Sequence, residues 1–184
     1  MEDIEALLRR TGAILEGHFR LASGRHSGTY IEKFRIMEDP PATSVLCGMI
    51  ADHFRDAAPS LVVGPATGGI ILAYETARQL GVRDIFAEKD AKDGMVFDRG
   101  FSIAPGEPVL LVDDVLTTGG SVTKVLKLLQ AAGANVVGVG FLIDRTNGGV
   151  DFGVPSYACH RMAIASYSEG ACPICTQGIP LVVT

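Results

Sequence analysis

Two adjacent carboxylates stand directly before a short loop of hydroxyls and glycines, and these are the residues of the chain best suited to chemistry. Asp113 and Asp114 follow the apolar run 109–112, and the loop 117–121 precedes a stretch with helical spacing, 122–129. A loop that opens a helix offers unpaired backbone N–H groups and a partial positive charge, which favour a phosphate. Paired carboxylates instead suit ribose hydroxyls or the shell of a Mg²⁺ ion. The pattern therefore predicts a sugar-phosphate site.

The run 109–121 resembles the phosphoribosyl-diphosphate signature of the type I phosphoribosyltransferases: an apolar strand, two acids, two mostly apolar residues and a Thr/Gly-rich loop. An ordinary strand–helix turn is the alternative. A nucleotide P-loop is excluded because no Gly-Lys-Ser/Thr follows the strand, and a dinucleotide fingerprint because the first glycine comes too late. The resemblance implies that Asp113 and Asp114 hold the ribose and stabilise positive charge on it. It also implies that the substrate contacts Val115, Leu116, Thr117, Thr118, Gly119, Gly120 and Ser121.

Apolar runs alternate with helical spacing through the middle of the chain, and this alternation predicts the elements that position the acids. Strands are predicted at 61–63, 84–87, 109–112 and 136–143. Helices are predicted at 3–10, 70–80 and 121–132, and a further helix begins after Asp39, which serves as its N-cap. The pattern predicts a doubly wound α/β fold with a parallel sheet, which binds ligands beyond the carboxyl ends of its strands.

A small hood is predicted beside this sheet. The segment 18–36 predicts two short strands with a turn at 23–28. We expect one phosphoribosyltransferase domain, 1–184, with a core at about 40–150 and a hood built from 1–39 and 151–184.

A second glycine-rich loop, 64–69, ends one strand and opens a helix. It predicts a second anion cradle, and a tight strand–helix connection is the alternative. In the family that the chain resembles, this loop grips diphosphate, often with a non-proline cis peptide, which here would be Ala66–Thr67. The resemblance therefore makes Thr67, Gly68 and Gly69 candidate ligands of the diphosphate.

The segment 88–101 combines acidic and basic residues, which is typical of a solvated hairpin. It is also similar, at Lys89-Asp90-Ala91-Lys92-Asp93, to the flexible loop of the orotate phosphoribosyltransferases, whose lysines act in the partner subunit's site. The resemblance implies that Lys92 is catalytic, that Lys89 and Lys92 bind diphosphate, and that a homodimer shares the loop. Gly94 stands where the larger bacterial branch of that family has a histidine.

Arg145 follows the fourth strand in an apolar-Asp-Arg context. An arginine there could bind a planar carboxylate through two parallel hydrogen bonds, and a surface Asp–Arg pair is the alternative. In the orotate enzymes such an arginine contacts orotate, so the resemblance assigns Arg145 and Thr117 to orotate. The hood segment 17–27 is similar too, but Ala22 and Gly68 stand where some relatives have lysines. Arg20, Arg25 or His26 could replace these cations.

The chain as a whole resembles the shorter branch of the orotate phosphoribosyltransferases, from about Thr11 to its C-terminal cysteines. The resemblance implies transfer of ribose 5-phosphate from phosphoribosyl diphosphate to orotate, giving orotidine 5′-monophosphate and diphosphate in the biosynthesis of UMP. It also implies Mg²⁺ held by substrate and water, without direct protein ligands. The alternatives are a phosphoribosyltransferase for another nucleobase and a non-catalytic nucleotide-sensing regulator of the same fold.

Composition bears on partners and compartment. A net charge of −5 and a pI of about 5.3 argue against a nucleic-acid partner. No apolar run is long enough to cross a membrane, and the acidic N-terminus is unlike a signal peptide, so we expect a cytoplasmic protein. The pair Cys172 and Cys175 is a weak zinc motif that Cys159 and His160, or a second subunit, could complete. Free thiols are the expectation for the cytoplasm.

Overall fold

The computed structural model describes residues 3–91, 94–146 and 148–184. The first part of the chain forms α1 (Ile4–Arg10), β1 (Ile14–Arg20), β2 (His26–Ile31), α2 (Phe34–Met37) and α3 (Pro40–Phe54). The middle forms β3 (Leu61–Pro65), α4 (Gly68–Leu80), β4 (Arg83–Lys89), β5 (Met95–Val96), β6 (Pro108–Leu116), α5 (Gly120–Ala131) and β7 (Asn135–Asp144). The last part forms β8 (Ser156–Arg161), β9 (Ser166–Tyr167) and β10 (Val182–Val183).

The main sheet has six strands in the order β5-β4-β3-β6-β7-β8. All neighbours in it are parallel except β5, which pairs antiparallel with β4 at one edge. From β3 the chain first adds β4 on one side and then β6 on the other, so the connections diverge between β3 and β6. Such a switch point is where open α/β sheets bind ligands. The predicted α/β fold with a parallel sheet is confirmed.

Two apolar layers cover the two faces of this sheet. Successive residues of a strand point to opposite faces, so Val62 packs in one layer and Val63 in the other. The layer with Val62 contains buried residues of α3 and α4, and the layer with Val63 contains those of α5. Burial on both faces explains why these strands read as continuous apolar runs.

β6 extends beyond the strand that the sequence predicted. It was expected to end at Val112, with the acids after it, but it continues to Leu116. Asp113 lies opposite Phe141 and Leu116 opposite Asp144, because β7 is long enough to continue the ladder. The two acids are therefore buried parts of a strand. α4 likewise begins at Gly68, two residues before the predicted start, so the second glycine loop supplies the first turn of that helix.

The hood is a four-stranded sheet in the order β10-β1-β2-β9. The two predicted hood strands are present, but β1 begins at Ile14 and β2 begins at His26, inside the predicted turn. The segment 151–184 was expected to join the hood, and the structure divides it. β8 pairs with β7 in the main sheet, whereas β9 pairs with β2 and β10 with β1.

Helix ends follow the sequence signals. The side chain of Asp39 accepts a hydrogen bond from the Ala42 amide at 3.1 Å, which caps α3 as predicted. Gly81 ends α4 with a left-handed φ of 73°. Within the described ranges, no helix is both long enough and apolar enough to cross a bilayer.

Candidate active site

The carboxyl ends of β3 and β6 enclose an open cavity of about 200 Å³. It brings the two glycine loops and the acids together, and it also receives two lysines and a methionine. Its lining consists of Lys33, Pro65, Ala66, Thr67, Gly68, Lys89, Met95, Asp113, Asp114, Val115 and Ser121. Motifs that are far apart in the sequence therefore meet at the switch point of the sheet.

The acid pair is held by hydrogen bonds at the end of β6. Asp113 accepts one from the Ser121 hydroxyl at 2.8 Å and one from the Asp114 amide at 2.9 Å. Asp114 accepts one from the Val115 amide at 2.7 Å. Burial, reinforced by the negative charge of Asp114, raises the pKa of Asp113 to about 6. The pair thus carries less negative charge near neutral pH than two free carboxylates would.

Lys33 supplies a cation that the sequence reasoning missed. Its Nζ lies 2.7 Å from Asp114 Oδ2, and Lys33 stands at the N-terminus of α2, between the hood and the main sheet. Two of the three suggested replacements, Arg25 and His26, are engaged elsewhere. Arg25 donates to the Ser166 hydroxyl at 2.8 Å, and His26 Nδ1 lies 3.0 Å from His18 Nε2. The only hint in the sequence was that Ala22 and Gly68 replace lysines of some relatives, which indicates that another cation lies at the site.

Close packing explains the glycines of the loop at 64–69. A Cβ on Gly68 would collide with the Asp114 carboxylate, and it would lie 2.9 Å from the Met37 methyl group. A Cβ on Gly64 would collide with the backbone of Gly69. The absence of side chains lets the first turn of α4 approach the acids. The Ala66–Thr67 peptide bond is cis, as predicted.

The loop after β6, residues 117–121, is the other candidate anion cradle. Gly119 caps α5 with a φ of 75°, a conformation that side chains disfavour, and a Cβ there would lie 3.0 Å from the Phe152 ring. The first N–H groups of a helix have no partner inside it, so the first turn from Gly120 can bind an anion. Leu116 is buried in β6, which leaves only its backbone for a substrate.

A second cavity of about 460 Å³ adjoins the same loop. Thr117 and Thr118 line it from the main sheet, and hood residues close it from the other side. The remaining lining residues are Leu21, Ala22, Ser23, Tyr30, Arg145 and Thr184. Mostly apolar walls with a few polar groups are typical of a pocket for a small organic ligand. Tyr30 and Thr184 were not foreseen, because nothing in their local sequence marks them.

Arg145 brings a half-buried positive charge to this second cavity. Its Nε is buried and has no hydrogen-bond partner among the described residues, and burial lowers its pKa. Arg145 does not form the alternative, a surface ion pair with Asp144. Asp144 instead accepts hydrogen bonds from the Thr146 amide and hydroxyl, both at 2.7 Å. Arg145 is therefore available to a ligand carboxylate.

The structure describes the charged loop 88–101 only in part. Lys89 lies at the end of β4 and lines the first cavity, whereas Lys92 lies outside the described residues. The Gly94 amide donates to Asp90 Oδ1 at 2.7 Å, and a Cβ on Gly94 would lie 2.7 Å from Asp90 Oδ2. The Asp90 carboxylate would have to move to admit a side chain at position 94, where the larger bacterial branch has a histidine.

Comparisons with known proteins agree with this arrangement. The phosphoribosyl transferase domain model matches residues 36–152. An orotate phosphoribosyltransferase of Chlorobium phaeobacteroides is 49% identical over 95% of this chain and 90% of its own length. One from Pelotomaculum thermopropionicum is 48% identical over 98% and 95%. The crystal structure of orotate phosphoribosyltransferase from Aeropyrum pernix, 30% identical, superposes with a TM-score of 0.75 over 87% of this chain and 94% of that one. The chain therefore belongs to the phosphoribosyltransferase family, within its orotate phosphoribosyltransferase branch.

Proposed function

We propose that this protein transfers ribose 5-phosphate from phosphoribosyl diphosphate to a ring nitrogen of orotate, releasing diphosphate. The observation that carries the proposal is that two cavities border the same turn after the acids of β6. Residues 113–115 and 121 line the first cavity, and Thr117 and Thr118 line the second. The first cavity holds the acids and the two candidate anion cradles, and the second is a mostly apolar pocket that contains Arg145. A donor with charged ends and an acceptor base with a carboxylate would meet at this turn.

Asp113 and Asp114 are proposed to receive the ribose hydroxyls, and the turn 117–121 to receive the 5′-phosphate. Carboxylates accept hydrogen bonds from hydroxyls, and they stabilise the positive charge that develops on a sugar as its leaving group departs. The Ser121 hydroxyl holds Asp113 at 2.8 Å, so the acid is oriented before the substrate arrives. No covalent intermediate is required, because positioning and electrostatics suffice.

Mg²⁺ fits this donor set as an ion held by substrate and water. Carboxylate oxygens suit it, but Asp113 is already bound to Ser121 and Asp114 to Lys33. Asp113 and Asp114 would therefore face the ion through the ribose hydroxyls and water. When bound, Mg²⁺ neutralises charge on the leaving diphosphate.

The lysines of the first cavity are proposed to complete the diphosphate site. Lys89 and Lys33 line the same cavity as Thr67 and Gly68, and Lys92 belongs to the loop that follows Lys89. Positive charge placed at a departing diphosphate lowers the barrier most when water is excluded. We assign Lys92 the catalytic part of this task, with Lys89 beside it. The amides of residues 67–69 would cradle the diphosphate.

Orotate is proposed to occupy the second cavity, with its carboxylate on Arg145 and its ring near Thr117. An arginine with a buried, unpartnered Nε among the described residues is suited to a two-point contact with a planar carboxylate. A neutral base such as uracil or adenine would leave this guanidinium unsatisfied, and that is a cost of buried charge. This contact favours orotate over the other nucleobases.

The experiment is a turnover assay on the purified protein with phosphoribosyl diphosphate and Mg²⁺. We expect loss of orotate absorbance together with release of diphosphate, and no turnover of uracil, adenine or xanthine. Turnover of one of these bases in place of orotate would move the protein to another phosphoribosyltransferase activity. Binding of phosphoribosyl diphosphate without turnover of any base would support the regulator instead.

A further inference from the structure

Two histidines of the hood meet two cysteines of the C-terminal segment. His18 lies on β1 and His26 on β2, and Cys172 and Cys175 follow β9. One potential ligand atom from each side chain lies within 4.8 Å of all the others. His18, His26 and Cys172 are buried, at 3%, 2% and 4% exposure, and Cys175 closes the cluster from the solvent side. We name these four residues the hood cluster.

The spacing of the hood cluster matches a tetrahedral zinc site. His18 Nε2 lies 3.0 Å from His26 Nδ1, and Cys175 Sγ lies 3.3 Å from the same His26 nitrogen. Cys172 Sγ and Cys175 Sγ each lie 3.6 Å from His18 Nε2. Zn–N bonds of about 2.0–2.1 Å and Zn–S bonds of about 2.3 Å place nitrogens about 3.3 Å apart and nitrogen and sulfur about 3.6 Å apart.

Hydrogen bonds within the hood cluster cannot satisfy all four of its side chains at once. His18 Nδ1 lies 2.9 Å from the Ile179 carbonyl oxygen, which only accepts, so Nδ1 carries the proton and Nε2 presents its lone pair. Three neighbours, His26 Nδ1 and both thiols, then surround that single lone pair. A cation accepts all four ligands at once. A carbonyl on the far ring nitrogen is also how metal-bound histidines are oriented.

We propose that His18, His26, Cys172 and Cys175 bind one Zn²⁺ ion. Two thiolates and two imidazoles are the ligands of a structural zinc site, and they discriminate against the hard Mg²⁺ that the reaction requires. All four positions are taken by the protein, so this ion has no open site for chemistry. On binding, each thiol releases its proton to solvent. The site does not depend on the proposed transferase activity.

The zinc would fasten the C-terminal segment to the hood. Beyond the cluster, Ile179 contacts His18, and the Thr184 amide donates to the Arg20 carbonyl at 3.2 Å. Thr184 then lines the second cavity opposite Arg145. The residues that the sequence suggested to complete the Cys172–Cys175 pair, Cys159 and His160, lie on β8 and are not part of the cluster. The Cys159 thiol instead donates to the Leu46 carbonyl at 3.3 Å. Metal binding therefore supports one wall of the orotate pocket.

The first test needs no variant. The protein is produced with zinc in the medium, purified without chelators, and measured for metal content and by X-ray absorption spectroscopy. We expect about one Zn²⁺ per chain with two sulfur and two nitrogen neighbours, at about 2.3 and 2.0 Å. Replacement by Co²⁺ should give the visible bands of a tetrahedral site with thiolate charge transfer. Protein without tightly bound metal, or metal with oxygen ligands only, would overturn the proposal.

Paired substitutions provide the second test. Cys172→Ser with Cys175→Ser should abolish zinc retention and the zinc-dependent part of thermal stability, whereas the matched control Cys159→Ser should keep one zinc per chain. Thiol titration and intact mass are measured on the wild type in parallel. A wild type with two thiols fewer and a mass lower by two hydrogen atoms would reveal a Cys172–Cys175 disulfide and refute the metal site. Zinc retained by the double variant would refute it equally.

Discussion

Asp113 lies at the end of β6 with almost no access to water and with a second carboxylate beside it. Its pKa of about 6 exceeds the 3.8 of an ordinary aspartate, so between these pH values the folded state holds a proton that the unfolded chain releases. The free energy of unfolding therefore falls as pH rises through this window. Keeping two adjacent acids buried at the candidate site thus lowers the stability of the folded state near neutral pH. Such a perturbed pKa is typical of functional residues.

Asp113→Asn should separate stability from activity. The amide removes the buried charge, so we expect the free energy of unfolding at pH 8 to rise by on the order of 2 kcal/mol, with little change at pH 4. Turnover should be lost, because the ribose contact needs a carboxylate. Urea unfolding at both pH values measures the effect, with the exposed Asp56→Asn as control. A variant less stable than wild type at pH 8 would contradict the buried-charge account.

Lys33→Ala should weaken the binding of phosphoribosyl diphosphate. Its Nζ neutralises Asp114 at 2.7 Å and lines the first cavity, so its loss leaves an unpaired carboxylate facing a polyanion. We expect the KM for phosphoribosyl diphosphate to rise roughly tenfold or more, about 1.4 kcal/mol, with a smaller effect on the KM for orotate. Lys127→Ala, on the exposed surface of α5, serves as control. Equal kinetics of the two variants would remove Lys33 from the site.

Arg145→Ala should act on the other substrate. Loss of the guanidinium removes the carboxylate partner, so the KM for orotate should rise by roughly tenfold to several hundredfold while that for phosphoribosyl diphosphate changes little. Arg161→Ala, whose side chain is exposed next to Asp144, provides the matched control. An equal rise in both KM values would exclude a role specific to the base.

At the scale of elements, the sheet could be predicted because buried parallel strands are apolar throughout, and strands and helices alternated in clear order. The end of β6 was misjudged because two acids usually mark the end of a strand. Here the ladder with β7 continues past them, and only the tertiary structure supplies the partners that make this possible. Backbone pairing overrode the local signal.

Residues that line the two cavities could be anticipated from the sequence only where a local motif marks them. Both glycine loops and Arg145 come from such motifs, and the fold brings them together at one sheet edge. Lys33 could not be found in this way, because an isolated lysine looks like a surface residue until its partner Asp114 is known. The hood cluster was missed for a similar reason, because His18 and His26 lie near the other end of the chain from Cys172 and Cys175.

The charged loop 88–101 is the element on which the chemical step is proposed to depend. Lys92→Ala should lower kcat by at least a hundredfold and leave the thermal unfolding midpoint unchanged, because charge at the leaving group matters most in the transition state. Single-turnover kinetics of the variant against wild type measure the step. Unchanged turnover would remove Lys92 from the mechanism.

At the scale of the whole molecule, a homodimer remains our proposal. Val45 on α3 and Ile71 and Tyr74 on α4 are large apolar side chains with 49%, 42% and 60% exposure. The two helices pack together, and the Ser44 hydroxyl donates to Glu75 at 2.7 Å between them. An apolar patch on adjacent helices suits a subunit interface, where a second copy would cover it.

Mixing two impaired variants, assayed at an orotate concentration well below the KM of Arg145→Ala, tests whether the loop is shared. If Lys92 acts in the partner's site, a heterodimer of Lys92→Ala and Arg145→Ala chains contains one site with both residues intact. We then expect mixing to restore up to a quarter of the wild-type activity, because half of the randomly mixed dimers have one good site of two. Equilibrium sedimentation establishes the dimer first. Restoration that fails despite confirmed exchange would place Lys92 in its own subunit's site.

The crowding around Gly68 constrains how this protein can evolve. A lysine introduced at position 68 brings a Cβ into the Asp114 carboxylate while Lys33 already occupies the same oxygen. Neither substitution alone offers a favourable intermediate: adding the new cation creates a steric clash, and deleting the old one exposes an anion. The two positions are therefore epistatic, and an exchange of one lysine for the other requires the loop and the hood to change together.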